Sequence, residues 1–334
     1  MSKFKPYFYI FIGIFAFWLI LTLMISPQFE TKLDHKFQVQ KPFVYNILND
    51  LNLKRRISYL KEDESFKLTC KKVPKGQNAQ CSYKSEKFGD GNFDIPKSNN
   101  DTILILQNPE KGYATEIQYI FVKSDSLSTD IEATIQGRTS KLSSLFKWFK
   151  SRTLKSQLEK ELANVKEITD ERSGLKLYNG FYIKEQAPNT RYFLYNSGSV
   201  KGEEIQQFYT QTLATLYQNV INSGVAPSGP ACKLYFSWFN DTNLTEVGAA
   251  VPTIAENNIA AAKTLTIPSR RSVIVEYVGD QRGLGFVHTA IDDYLADHNL
   301  AIVPPVIEEY VSDPSTNPAL STWKTNIIYY VKPK

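Results

Sequence analysis

The sequence has few of the residues that mark the common catalytic and structural frameworks. Three cysteines in 334 residues exclude a disulfide scaffold, which needs several bridges in a short chain. Three widely spaced histidines exclude a His-rich metal site, and no Cys/His set has zinc spacing. No metal and no cofactor is therefore expected. There is no G-x-S-x-G elbow, no phosphate-binding P-loop and no H-E-x-x-H pair. Gly283-Leu284-Gly285 lacks the third glycine of a dinucleotide fingerprint and follows an antiparallel-type strand. Lys plus Arg is 39 against 34 for Asp plus Glu, a net charge of +5. Lys3 and Lys5 lie before residue 29, so the rest carries only +3. That balance is too even for a nucleic-acid binder, whose domain carries a pI above about 9 and a clustered basic face. The sequons at Asn100, Asn240 and Asn243 matter only in a eukaryotic secretory pathway, which nothing else suggests.

What is present begins with an apolar run. Residues 7–25 (YFYIFIGIFAFWLILTLMI) hold no charge. Nineteen residues at about 1.5 Å rise span roughly 28 Å, close to a bilayer's hydrocarbon thickness. A buried core helix is rarely apolar all round for this length, and Ser26-Pro27-Gln28-Phe29 is a poor signal-peptide cleavage site. The expectation is a transmembrane anchor over 1–28, touching the lipid bilayer through 7–25. Lys3 and Lys5 precede the span and Lys32, Lys36 and Lys41 follow it, so the positive-inside rule is silent. A short N-terminal tail is the easier side to leave in the cytoplasm. The bulk of a single-pass membrane protein is then expected on the outer, periplasmic side.

At about 150 residues per domain the length suggests two domains. In residues 29–170, Lys41-Pro42 opens a helix marked by Val44, Ile47, Leu48 and Leu51. Alternating runs follow at 66–70, 81–83, 103–106 and 115–121, separated by turn residues, which indicates an antiparallel sheet. From 140 to 166 the period becomes helical, with Leu142, Leu145, Phe146, Phe149, Leu154, Leu158, Leu162 and Val165 as the apolar stripe. Lys141, Lys147, Lys150, Arg152, Lys155 and Lys160 read as its solvated face, and Trp148 and Phe149 are expected to pack on the sheet. The polar stretch 169–174 is expected to break the helix and end the domain. Cys70 and Cys81 are symmetric about Lys75-Gly76, so a hairpin there would set them opposite each other. They would form a disulfide in an oxidising compartment and two free, half-buried thiols otherwise.

The second part, 175–334, repeats itself. Residues 222–237 align with 297–312 at a constant offset of 75, with Pro230/Pro305, Tyr235/Tyr310 and Ser237/Ser312 identical. Each copy follows a strand (191–195; 272–278) and an amphipathic helix, and each ends in a strand (246–251; 325–331). The helix stripes are Ile205, Phe208, Tyr209, Leu213, Leu216 and Val220, and Val287, Ala290, Ile291, Tyr294 and Leu295. This is a tandem βαββ pattern, with repeats at about 190–252 and 267–334. Two such units pack as one antiparallel sheet with both helices on one face. That leaves the opposite face to line a groove between the repeats.

On these residues two resemblances can be stated. Phe43-Val44-Tyr45-Asn46-Ile47-Leu48-Asn49-Asp50, the strand-turn 81–91, the strand 114–122 and the long closing helix resemble the SRPBCC superfamily. This is the helix-grip fold of polyketide cyclases and of steroid- and lipid-transfer domains, and the resemblance covers 36–168. It implies a curved antiparallel sheet wrapped round the long C-terminal helix, with an apolar cavity between them. The chain departs from that pattern at Leu53-Lys54-Arg55-Arg56-Ile57, where many members are tryptophan-rich, and in the polar Ser98-Asn99-Asn100-Asp101. Residues 175–334 resemble the GyrI-like effector-binding domain, also found in AraC-type regulators. The carriers are Ile267-Pro268-Ser269-Arg270, Tyr277-Val278-Gly279, His298-Asn299-Leu300 and the stretch from Pro305 to Pro314. That family binds small organic ligands, often cationic, in the groove between repeats. Its acidic residue maps to Glu308 and the neighbouring aromatic to Tyr310; some relatives are hydrolases using that glutamate. The whole is an α+β chain.

Glu308 and Tyr310 are two apart on a strand and share a face, while Glu309 faces away. A carboxylate on an aromatic-lined face pairs with a cation, and the ring adds about 0.5–2 kcal/mol of cation–π attraction. Desolvation there would raise the carboxyl pKa. Lys233 is the repeat counterpart of Glu308, and Tyr235 of Tyr310, so symmetry is expected to set them across the groove. Lys233 would neutralise Glu308 or hold an anionic end of a ligand. Trp238 and Trp323 add candidate aromatic surface; Phe236, Phe239, Tyr329 and Tyr330 read mainly as core. Cys232 receives no role. The favoured function is non-catalytic binding of a small hydrophobic or cationic organic molecule, as sensor or carrier. The alternatives are a hydrolase or cyclase-like enzyme using Glu308 with Tyr310, and an envelope scaffold with vestigial cavities and an unidentified protein partner.

Overall fold

Period-two alternation in the first half becomes one antiparallel sheet in the computed structural model. It describes residues 11–14, 17–18, 20, 25–71, 73–110, 112–125, 127–238, 244–312 and 320–334. The side chains of Leu142, Leu145 and Phe146, together with Phe239, the sequons at Asn240 and Asn243, and Asp313-Pro314, lie outside that description. The chain divides into two compact units, Met1–Ser173 and Gly174–Lys334, and both are α+β with large antiparallel sheets.

In the first unit the order is β1 (Gln28–Phe37), α1 (Lys41–Leu48), α2 (Lys54–Ile57), β2 (Lys67–Cys70), β3 (Gln80–Lys84), β4 (Gly91–Asn99), β5 (Thr102–Pro109), β6 (Thr115–Ser124), β7 (Thr129–Arg138) and α3 (Lys147–Asp170). The sheet runs β1-β7-β6-β5-β4-β3-β2. Ile103, Ile105 and Gln107 of β5 point inwards and their neighbours outwards, as a half-buried strand requires. Leu154, Leu158, Leu162 and Val165 of α3 close the same core. Where the resemblance implies an apolar interior, the space under α3 also holds a charged pair. Lys54 is 0% exposed and Glu161 4%. The Lys54 ammonium donates to Glu161 Oε1, as does the Tyr119 hydroxyl at 2.5 Å. Cys70 and Cys81 pair across β2 and β3 and are joined by a disulfide.

Three local expectations are corrected here. The helix does not break at 169–174: α3 runs to Asp170 and a π-helical turn carries it on to Leu175. Its last turn is held by the Lys166–Asp170 pair at 2.6 Å, and Arg56 grips Glu171 beyond it with two bonds of 2.8 Å. Trp148 and Phe149 do not pack on the sheet; they are 61% and 60% exposed. At about 100° per residue they stand roughly 120° and 140° round the helix from Leu154, the first of the buried stripe. The third correction concerns the membrane. Among the described residues no helix is long and apolar enough to cross a bilayer. A span needs about 20 apolar residues; the 24 residues of α3 are charged along their length. The expected single-pass anchor, its lipid contact and the periplasmic placement built on it are overturned on that finding. Most of 7–25 lies outside the described residues.

The second unit contains β8 (Leu177–Tyr178), β9 (Phe181–Tyr182), β10 (Lys184–Gln186), β11 (Arg191–Lys201), α4 (Ile205–Asn222), β12 (Cys232–Ser237), β13 (Leu244–Thr253), β14 (Lys263–Ile267), β15 (Ser272–Val278), α5 (Leu284–Asp297), β16 (Leu300–Tyr310) and β17 (Lys324–Pro333). Its main sheet runs β10-β15-β17-β16-β12-β13-β11-β14, so β12 and β16 pair at the centre. Pro304 and Pro305 fall where the register of β16 slips between Val303 and Ile307, a place where their missing N–H groups break no ladder. Both helices lie on one face. The α5 residues Val287, Ile291 and Tyr294 pack with Val273, Val275, Val306 and Tyr329, and Leu216 and Val220 of α4 pack with Leu194 and Val251.

The opposite face does not line a groove. Phe193, Cys232, Leu234, Ile267, Ile274, Ile307, Ile328 and Tyr330 fill it. Arg191 of β11 reaches Glu309 of β16 at 2.6 Å, although two strands lie between. Three strand spacings are about 14 Å, so the two long side chains reach towards each other across that face.

Candidate functional site

The site is on the helix side, over the central strand pair. In β12 and β16 Lys233 stands opposite Glu308, Leu234 opposite Ile307 and Tyr235 opposite Val306. Alternation sends Lys233, Tyr235, Glu308 and Tyr310 towards the helices. It sends Cys232 and Glu309 the other way, where burial pushes the Cys232 thiol up to about 12. Between α4 and α5 lies a cavity of about 270 Å³, lined by Gln206, Lys233, Tyr235, Trp238, Gln281, Leu284, Gly285, His288 and Glu308.

Glu308 is 3% exposed and Lys233 5%, with Nζ 3.5 Å from Oε2. At an effective dielectric of about 20 such a pair gains roughly 5 kcal/mol, against several kcal/mol of desolvation per ion. Further donors tip the balance. His288 Nε2 lies 2.9 Å from Oε1, and the Tyr310 hydroxyl donates to Oε2 at 2.5 Å. A carboxylate only accepts, so Nε2 donates. The other ring nitrogen, Nδ1, lies 2.9 Å from the Tyr329 hydroxyl. Burial alone would raise the Glu308 carboxyl, but the His288 bond and the Lys233 charge, with Tyr310, outweigh it and hold it at about 2. The rise expected from desolvation is thus reversed, because both oxygens that burial strips of water are met by donors. Burial pulls the Lys233 ammonium below its ordinary value, and Glu308 opposes that. Burial, then the Glu308 charge, pushes the Tyr310 and Tyr235 hydroxyls up.

The aromatic surroundings are equally specific. The Lys233 ammonium sits 5.0 Å from the Tyr209 ring centre and 5.4 Å from that of Tyr310, and donates to Gln206 Oε1 at 3.2 Å. Tyr235 and Trp238 stack at 4.1 Å with 15° between planes. The Trp238 indole, 39% exposed, meets the His288 ring edge-on at 5.5 Å.

Of the residues singled out in the sequence, Glu308, Lys233, Tyr235 and Trp238 line the cleft, and Tyr310 stands behind Glu308 as a hydrogen-bond donor. Trp323 is not among the lining residues. It lies in the turn before β17, where its carbonyl accepts the Gly279 N–H at 2.8 Å. Lys233 and Glu308 do not face each other across a groove: β12 pairs directly with β16, so they are side-by-side neighbours on its floor. Sequence reasoning missed His288, Gln206 and Gln281. His288 left a signal, being the one polar residue in the stripe Leu284, Val287, His288, Ile291 and Leu295. The two glutamines left none.

Neither a known family nor a curated protein matches this chain. Among solved structures it is similar to the C-terminal domain of EcmrR, at 14% identity over 46% of this chain and 99% of that one, with a TM-score of 0.41. It is similar to SAV2435 bound to tetraphenylphosphonium, at 15% identity over 45% of this chain and 93% of that one, TM-score 0.35. It is also similar to a hydrolase from Listeria innocua, at 15% identity over 45% and 91% of the two chains, TM-score 0.32.

Proposed function

We propose that residues 175–334 form an effector-binding domain that takes a small hydrophobic or cationic organic molecule into the cleft between α4 and α5, as a sensor or carrier. Residues 29–170 form a helix-grip domain in this reading. The observation that carries this reading is a buried, fully partnered carboxylate on the floor of a cavity whose wall is an exposed, stacked indole. Ligand pockets combine an apolar lining with a few convergent polar groups in this way. Two strand-helix-strand-strand halves, β11-α4-β12-β13 and β15-α5-β16-β17, support it. The residues at the repeat offset of 75, Lys233 and Glu308, are themselves directly paired, as a two-fold relation between the halves requires.

Hydrolysis by Glu308 is the weaker reading. A general base works best with a pKa near the working pH; this carboxyl is held at about 2 with both oxygens occupied. The test is native mass spectrometry of the whole chain after exposure to a cell extract and to tetraphenylphosphonium, beside Glu308→Gln. A retained small molecule that weakens at least tenfold in the variant is the expected result. No adduct from either source would count against the cleft as a ligand site.

A further inference from the structure

We infer that Lys233 fills the cation subsite of this cleft from within the chain, so that the ligand accepted is a neutral apolar molecule and organic cations are turned away. This rests on the reading above and decides between its two ligand classes.

An organic cation is held by a desolvated carboxylate and by aromatic faces within about 6 Å of the charge. Both are present here, and both are already used. The Lys233 ammonium is 3.5 Å from Glu308 Oε2 and lies against both the Tyr209 and Tyr310 rings, 5.0 and 5.4 Å from their centres. Its side chain is 6% exposed, and Gln206 Oε1 at 3.2 Å fixes its tip. The two rings and the carboxylate together hold a cation that cannot diffuse away. A second cation entering the cavity would meet that like charge, and would find Glu308 shared among Lys233, His288 and Tyr310. The free part of the cavity is of another kind. The Tyr235–Trp238 stack, Leu284 and Gly285 line it, with the uncharged Gln281 beside them, and the stacked indole gains by covering a neutral ring. Lys233 is thus a specificity-determining residue: the same cleft without it would offer an empty carboxylate box.

The experiment uses the full chain and two probes of one shape, benzyltrimethylammonium and its neutral carbon isostere neopentylbenzene, with affinities read by calorimetry and Trp fluorescence. The wild type is expected to bind the neutral probe at least tenfold tighter. Lys233→Met should raise affinity for the cation at least tenfold, and adding Glu308→Gln should remove that gain. Lys233→Arg should keep the wild-type ratio. Lys233→Gln, which retains a hydrogen-bonding group towards Gln206, should repeat the Met result and covers the case in which Lys233→Met folds poorly. Equal affinities in the wild type, or a ratio unmoved by Lys233→Met and Lys233→Gln while the neutral probe still binds, would overturn this inference alone. No binding of either probe to any of these proteins would overturn the reading of the cleft with it.

Discussion

Each unit buries a lysine against a glutamate and adds a tyrosine hydroxyl to the same carboxylate, yet the two clusters differ in what lies beside them. In the first unit Lys54 joins α2 to Glu161 of α3, with Tyr119 of β6 donating to Glu161 and the Phe93 ring 5.6 Å from the ammonium. Its members close a core between sheet and helix. In the second unit Lys233 and Glu308 pair across two central strands and form the floor of a cavity of about 270 Å³. His288 adds a third donor from α5. Chemically similar clusters therefore have different uses. A buried pair that ties elements together resists unfolding, whereas one bordering a cleft presents its charge to whatever enters. Burial alone does not separate the cases; the adjoining space does.

That contrast can be broken most readily at Lys54. Lys54→Met leaves Glu161 buried with Tyr119 as its donor, and is expected to cost about 3–5 kcal/mol. Hydrogen exchange of the α3 and β6 amides would show it. The double variant Lys54→Met with Glu161→Leu should recover most of that loss, because a well-packed apolar pair avoids the desolvation of both ions. Failure to recover would mean that the pair is needed for more than packing.

The next largest effect is covalent. The Cys70–Cys81 bond closes a loop with a sequence separation of 11, and its reduction should lower the stability of the first unit by about 2–4 kcal/mol. The second unit, whose Cys232 is free, should keep its protection under the same reductant. Lys233→Met should cost less, about 1–2 kcal/mol. Glu308 keeps His288 and Tyr310, and water can enter the adjoining cavity. Urea unfolding monitored on β16 amides checks this; a loss as large as that at Lys54 would erase the distinction between the clusters.

The mildest test is acid. Glu308 has an ordinary value of 4.5 and is held at about 2 in the folded chain, and Glu185, bonded by Tyr294, Lys176 and Arg271, is also held at about 2. The unfolded chain therefore binds these protons more readily. Stability of the second unit should be complete above pH about 4.5 and fall as pH drops through about 2. Glu308→Gln should flatten part of that slope in a pH series of thermal unfolding.

Most strands and helices were legible in the sequence. Alternation at 103–106 and 115–121, the stripe at Leu154, Leu158, Leu162 and Val165, and the offset of 75 all report local periodicity, which depends on near neighbours alone. The same locality misled at Trp148 and Phe149, where an apolar residue was taken for a packed one although the helix turns it away. It misled over 7–25, where hydropathy alone carried the anchor. Glu308 and Tyr310 could be named from the effector-binding resemblance, and Lys233 and Tyr235 because the repeat set them at the matching positions.

What the tertiary structure alone decided is where those residues meet. Only the pairing of β12 with β16 makes Lys233 and Glu308 neighbours, and only side chains gathered from across the sheet fill the face expected to be open. His288 joins Glu308 from a helix twenty residues away in sequence. The carboxyl moves down instead of up because of that contact together with those of Lys233 and Tyr310. Residue type and spacing set which groups are available and which way each strand and helix faces. A charge's environment is a sum over groups brought together by long-range pairing, and no local pattern contains that sum.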